Sequence, residues 1–174
     1  MKQKKKILRG YAHKFGDDIN TDYIISGRYK FKTLNSRELA KHLLEDIDPD
    51  FNKRKASGDF IVAGENFGCG SSREQAPLVI KYAGIGAVLA KSFARIFYRN
   101  AINIGLPIVQ VDTEKIESGD ELEIDLALGE VHLIKDNLCL KAEPFRPFIL
   151  EIIEVGGLIE YFKKYGGWKK GKYF

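Results

Sequence analysis

Cysteine is scarce in this chain: only Cys69 and Cys139 occur among 174 residues, far apart in sequence. That argues against a disulfide scaffold, suits a reducing compartment, and falls short of the three or four thiolates that usually hold an iron-sulfur cluster. An uninterrupted apolar run of about 18 residues is also missing, so no membrane span is expected. The basic start, Lys2 to Lys6, lacks the apolar stretch that follows in a secretory signal, and the cytoplasm is the expected compartment. Charge of one sign is nowhere concentrated. The net +4 is spread over both termini, residues 30–55 and residues 73–99, which favours anionic ligands without demanding nucleic acid. His13, His42 and His132 lack metal-ligand spacing and read as surface or structural residues.

With 44% apolar residues, the chain can bury one good core, and a single domain spanning 1–174 with its core at about 7–165 is expected. Ile7 to Ala12, Phe60 to Ala63, Ala87 to Ala90 and Pro107 to Val111 read as strands. Arg73 to Ala83 and Phe93 to Ile104 carry apolar residues at helical spacing, the second ending at Gly105. Strand, helix, strand, helix, strand at this spacing predicts an α/β fold in three layers with some parallel pairing. The segments 121–126, 131–134 and 138–141 are short and alternating, with a turn at Gly129-Glu130, and predict antiparallel strands. A helical region over Phe148 to Tyr165 should break at Gly156-Gly157. Ser36 is read as the start of an amphipathic helix carrying Leu39, Leu43, Leu44 and Ile47 and stopping before Pro49, and Gly27 to Thr33 as a mobile loop.

Two loops are rich in groups that do chemistry. Gly64-Glu65-Asn66-Phe67-Gly68-Cys69-Gly70-Ser71-Ser72-Arg73-Glu74 places glycines, two hydroxyls and a guanidinium between an apolar run and a helical segment. Amide groups and the positive end of that helix would face an anion held there. A tight strand-to-helix turn with Ser72 as cap is the structural alternative. The loop lacks the Gly-Lys-Ser/Thr ending of a P-loop and the three-glycine dinucleotide spacing, so ATP and NAD fall in rank. Gly84-Ile85-Gly86 does not match either and reads as a helix-to-strand turn. The other loop, Gly16 to Asp22, is dense in turn formers and side-chain acceptors.

Asp18-Ile19-Asn20-Thr21-Asp22, the Gly64 to Glu74 loop and Lys91-Ser92-Phe93-Ala94-Arg95-Ile96-Phe97 occur in the order found in the swivelling domain of the aconitase superfamily. Over residues 7–165 the chain resembles the separate small subunits of the 3-isopropylmalate dehydratase family. The resemblance implies a three-layer β/β/α swivelling domain whose mixed sheet becomes antiparallel toward the C-terminus. It implies a hydro-lyase, active as a heterodimer or heterotetramer with a large subunit that carries a [4Fe-4S] cluster, acting on a small dicarboxylic 2-hydroxy acid. It implies no metal bound by this chain, no nucleic-acid partner and no membrane.

Under that resemblance Ser71 matches the catalytic base, while Ser72 and Arg73 match the groups that bind a substrate carboxylate. A serine alkoxide needs N–H donors and positive charge nearby, and Arg73 offers a planar fork matched to a carboxylate. Asp22 matches an active-site carboxylate, with Thr21 beside it as a substrate contact; an Asx-turn is the structural alternative for Asp22. Cys69 reads as a small, partly buried thiol. Lys91, Arg95 and Arg99 either line the cleft or form a solvated, ion-paired helix face.

The loop Gly27 to Thr33 faces the variable substituent of the malate skeleton in this superfamily. Homoaconitase-like small subunits resemble Tyr-Leu-Arg-Thr there. Aligned from Tyr29, Phe31 takes the arginine position, and an apolar ring suits an isopropyl or methyl group while leaving an extra carboxylate unpaired. A one-residue shift would place Lys32 there instead, which keeps homoaconitate or citrate open, and a dimethylmalate dehydratase would want the same apolar contact. A phosphate- or RNA-binding module without catalysis is the reading from another class, disfavoured by the lack of clustered Lys/Arg with interleaved aromatics.

Overall fold

The computed structural model describes residues 7–30, 33, 35–71 and 74–168. Among these, the strands are β1 (Ile7–Lys14), β2 (Phe60–Ala63), β3 (Ala87–Ala90), β4 (Ile108–Gln110), β5 (Glu121–Asp125), β6 (Glu130–Leu133) and β7 (Leu138–Lys141). They form one mixed sheet in the order β4-β3-β2-β1-β5-β6-β7. Four single-turn helices, α1 (Thr21–Ile24), α2 (Gly27–Lys30), α3 (Ser36–Leu39) and α4 (Phe51–Arg54), precede β2. The crossovers α5 (Gln75–Tyr82) and α6 (Arg95–Asn103) join the parallel strands, and α7 (Pro147–Val155) and α8 (Leu158–Tyr165) follow β7. The α/β class and the antiparallel turn of the sheet toward the C-terminus are as expected.

The two halves of the sheet follow from two kinds of sequence. Phe60 to Ala63 and Ala87 to Ala90 are apolar at every position and buried on both faces, as strands sandwiched between layers must be. In β5 and β6 only alternate residues are apolar: Leu122, Ile124, Val131 and Leu133 join the core, while Glu123, Glu130 and His132 turn outward. Strand β1 belongs to both halves. Its residues 7–11 pair antiparallel with β5, and Ala12, His13 and Lys14 pair parallel with β2.

That change of partner is fixed by one buried carboxylate. Asp59, 5% exposed, accepts from the Tyr11 amide at 3.0 Å, from His13 Nε2 at 2.8 Å and from the Ala56 amide at 2.8 Å. Gly10 allows the close approach, since a Cβ there would lie 2.5 Å from the Gly58 carbonyl oxygen. Burial would raise the Asp59 carboxyl, but the hydrogen bonds from Ala56, His13 and Tyr11 outweigh it and hold the group below its ordinary value.

Two expectations need correction. The helix opened at Ser36 stops at Leu39 and continues only as a 3₁₀ turn over Ala40–His42, with Asn35 rather than Ser36 as cap. Its leucines are all core residues, and Leu44, at φ +59°, gives its amide to Ile24 instead of extending the helix. The helix read from Arg73 begins at Gln75, with Glu74 as its unbonded cap, so Ser71 lies four positions before its first residue. The break between α7 and α8 is at Gly156-Gly157 as expected: the Gly156 amide bonds Ile153 and the Gly157 amide bonds Ile152, a Schellman cap. Lys81 of α5 reaches two further carbonyls, Ile104 at the end of α6 (2.5 Å) and Gly156 at the end of α7 (2.7 Å).

Replacing Asp59 by Ala should leave two partly buried amides and a buried ring nitrogen unpaired and cost about 3 kcal/mol in denaturant unfolding of the chain at neutral pH. Because the folded carboxyl is held low, its contribution is complete above the ordinary carboxylate range of about pH 4 and is lost as pH falls through the lower folded value. A wild-type acid unfolding curve that Asp59→Ala leaves unshifted would remove the carboxylate from this role.

Candidate active site

Three loops leave the same end of the parallel strands and are stitched together by their backbones. Between residues 16–21 and 64–69, Gly64 donates to Gly16 (3.1 Å), Asp18 to Glu65 (2.9 Å), Gly68 to Ile19 (2.8 Å) and Thr21 to Cys69 (2.9 Å). The third loop joins through Lys91 to Gly64 (3.0 Å), Phe67 to Ser92 (3.0 Å) and Ala94 to Phe67 (2.9 Å). Side chains reinforce the weave: Asp17 Oδ1 accepts from the Glu65 amide, Asn66 Nδ2 donates to Asp18, and Ser92 Oγ accepts from the Asn66 amide. The three sequence motifs therefore form one surface.

That surface is a cleft of about 480 Å³. Thr21, Gly68, Gly70 and Ser71 line one wall, and the first residues of α6 with Arg99 and Asn100 line the other. Ser71 is exposed at the cleft, and its carbonyl accepts from Thr21 Oγ1 at 3.0 Å, which ties the loop to α1. Thr21 is buried; Asp22 follows it in the first turn of α1, exposed, in a turn capped by Asn20 Oδ1. Ser72, Arg73, Phe31 and Lys32 lie outside the described residues.

Among the described residues lining the cleft, a positive helix end is that of α6. Its cap, Ala94, makes no side-chain hydrogen bond, and Ala94, Arg95, Ile96 and Phe97 all line the cleft. The unbonded amides of a first helical turn, with Arg95 beside them, favour an anion there. Arg95 and Arg99 stand one turn apart and both line the cleft, whereas Lys91 pairs with Glu114 (3.4 Å) and Asp112 (3.9 Å). Asn100 was missed by sequence reasoning; its position five residues after Arg95 was the available signal. Burial first, and the Asp18 carboxylate second, push the Cys69 thiol up, so it stays protonated at neutral pH.

The stretch read as mobile is anchored over Gly27–Lys30, which forms α2. The Tyr29 ring stacks on His42 with centroids 3.7 Å apart, its hydroxyl donates to Glu45 at 2.8 Å, and Arg28 pairs with Asp46. His42 Nδ1 donates to the same Glu45 at 2.5 Å, and these bonds from His42 and Tyr29 hold the Glu45 carboxyl low. His42 is thus structural, as is His13 on Asp59.

The aconitase C-terminal domain family matches residues 10–114. A 3-isopropylmalate dehydratase small subunit 2 of Archaeoglobus fulgidus is 57% identical over 157 residues, covering 90% of this chain and 95% of that one. A methanogen homoaconitase small subunit of Methanocaldococcus jannaschii is 54% identical over 158 residues, covering 91% and 92%. A crystal structure described as 3-isopropylmalate dehydratase from Methanocaldococcus jannaschii matches with a TM-score of 0.87 at 53% identity, covering 92% of this chain and 96% of that one.

Two glycines of the cleft separate steric from backbone demands. At Gly68, φ +79°, a methyl would overlap the Phe97 ring; at Gly70, φ +87°, its nearest neighbour would be 3.5 Å away. Gly68→Ala should cost about 3 kcal/mol from strain plus overlap, and Gly70→Ala about 1 kcal/mol from strain alone, in thermal unfolding. Equal costs would mean that Phe97 does not pack against this loop in solution.

Proposed function

We propose a catalytic half-site in a chain that belongs to the family of 3-isopropylmalate dehydratase small subunits, built on the aconitase C-terminal domain. The chain is the small subunit of a hydro-lyase that interconverts 2-isopropylmalate and 3-isopropylmalate in leucine biosynthesis, and it works with a large subunit. That membership sets aside the non-catalytic phosphate or RNA module. Among the described residues no helix is long and apolar enough to cross a membrane, and the cytoplasm is the compartment we assign.

The site works as one domain, about residues 7–165, closing on the partner. Ser71 takes the proton from one carbon of the substrate, the hydroxyl leaves the neighbouring carbon, and water adds back with the positions exchanged. A serine hydroxyl is a weak acid, so its alkoxide requires a positive environment; the first-turn amides of α6 and Arg95 supply it across the cleft. Ser72 and Arg73 bind the substrate carboxylate, Arg73 through its two-pronged donor face. Thr21 contacts substrate and holds the Ser71 carbonyl, and Asp22 orients a polar group of the substrate. A [4Fe-4S] cluster held by the partner would supply Lewis-acid chemistry for the departing hydroxyl. This chain does not provide the cluster's ligands, since Cys69 lies in the cleft loop and Cys139 on β7, at the far edge of the sheet.

The observation that carries the reading is the Thr21–Ser71 bond, which joins two of the motif loops across 50 positions of sequence at the mouth of the cleft. Whole-chain identity does not choose the substrate, because a homoaconitase small subunit stands at 54% beside isopropylmalate dehydratase subunits at 50–57%. Phe31 favours isopropylmalate: an aromatic ring accepts an isopropyl group and leaves a further carboxylate without a partner. Homoaconitate is the second reading, favoured by that relative and by Lys32 next to Phe31.

Mixed anaerobically with an iron-sulfur large subunit, the chain should isomerise isopropylmalate, and Ser71→Ala should lower kcat at least about 100-fold. Full activity in that variant would refute the base assignment. Phe31→Arg should shift the kcat/KM ratio toward homoaconitate by at least about 10-fold, and an unchanged ratio would move specificity elsewhere in the chain.

A further inference from the structure

Among the described residues, the outer face of the β5-β6-β7 meander holds a group of metal-ligating side chains that the half-site leaves unused. His132 and Cys139 are directly opposed across β6 and β7, and Glu130 lies two residues before His132 on the same face. Glu130 Oε2 is 3.3 Å from His132 Nε2, Cys139 Sγ is 3.9 Å from that same nitrogen, and one donor atom from each residue lies within 4.8 Å of the others. All three side chains are partly buried. Around tetrahedral zinc, bond lengths of about 2.0–2.3 Å place nitrogen, oxygen and sulfur ligands about 3.3–3.6 Å from one another. The cluster is within a small side-chain adjustment of that arrangement.

Two further features fix where the donor atoms sit. The other carboxylate oxygen, Glu130 Oε1, is held by Lys141 at 2.5 Å, so Oε2 is the atom turned toward His132. Such a second hydrogen bond on a carboxylate is how outer partners orient a ligand. The three donors also come from a register-locked antiparallel pair, so they are placed by backbone hydrogen bonds rather than by loop position.

We propose that Glu130, His132 and Cys139 form a binding site for a borderline-soft divalent cation of the zinc class, with the fourth position open to water. Binding displaces the thiol proton of Cys139 to solvent and joins carboxylate oxygen, imidazole nitrogen and thiolate sulfur on one ion. The ion ties β7, the edge strand, to β6. Strand β5 pairs Asp125 with Ile7, and Glu130 pairs with Asp125, so the site lies at the opening end of β1, opposite to the end from which the cleft loops leave. It is independent of the catalytic reading.

The test is titration of the full chain, without affinity tag and under reducing conditions, with Co²⁺ and then Zn²⁺. One equivalent of Co²⁺ should produce a sulfur-to-cobalt charge-transfer band with visible bands of tetrahedral intensity, and Zn²⁺ should bleach them. Cys139→Ser should abolish the charge-transfer band, His132→Ala and Glu130→Gln should each weaken Zn²⁺ at least about 10-fold, and Cys69→Ser should change nothing. No saturation at one equivalent overturns the site. So does saturable binding that survives Cys139→Ser, or a Zn²⁺ affinity that either His132→Ala or Glu130→Gln leaves unchanged.

Discussion

The Asp59 carboxylate takes the Tyr11 amide on one oxygen and the His13 ring and Ala56 amide on the other, at the place where β1 exchanges β5 for β2. A strand that is antiparallel to one neighbour and parallel to the next needs its register fixed at the crossing, because a slip of one residue reverses every side chain. Ala12 and His13 are buried on the parallel side of that crossing, whereas Arg9 and Tyr11 face solvent before it. Everything that leaves the far end of β1 inherits this register. The 16–21 loop meets the 64–69 loop only because Lys14 and Val62 are in step.

The cleft shows the same economy of backbone. Its motif loops bond to one another mainly through amides and carbonyls, which leaves hydroxyl and guanidinium groups available to a ligand. Helix α6 contributes both shape and charge: Phe97 fills the space beside Gly68, and the helix's first turn offers unbonded amides and Arg95.

The regular elements were legible in the sequence because their burial is simple. Strands β2 and β3 are covered on both faces and read as unbroken apolar runs, and β5 and β6 alternate because one face meets water. The region between β1 and β2 was not legible to the same degree. There Leu44 turns left-handed to reach Ile24, and Tyr29 is pinned by His42 and Glu45, both tertiary events without local signal. The order of the three motifs indicated which loops share a site. It did not indicate that α6 points at it, since α5 follows Ser71 in sequence while the first turn of α6 lines the same cleft as Ser71. Asp59 carries no local signal of its role, and only the fold reveals it as a register pin.

Lys81 has a consequence of a different kind. Its ammonium, which burial pulls below the usual lysine range, sits on a carbonyl at the end of α6 and another at the end of α7 while its own backbone belongs to α5. Opening α6 or α7 takes a carbonyl partner from this partly buried cation, which penalises their separate unfolding. One side chain thus couples three helices, and coupling of this kind joins elements into a single unit of local unfolding.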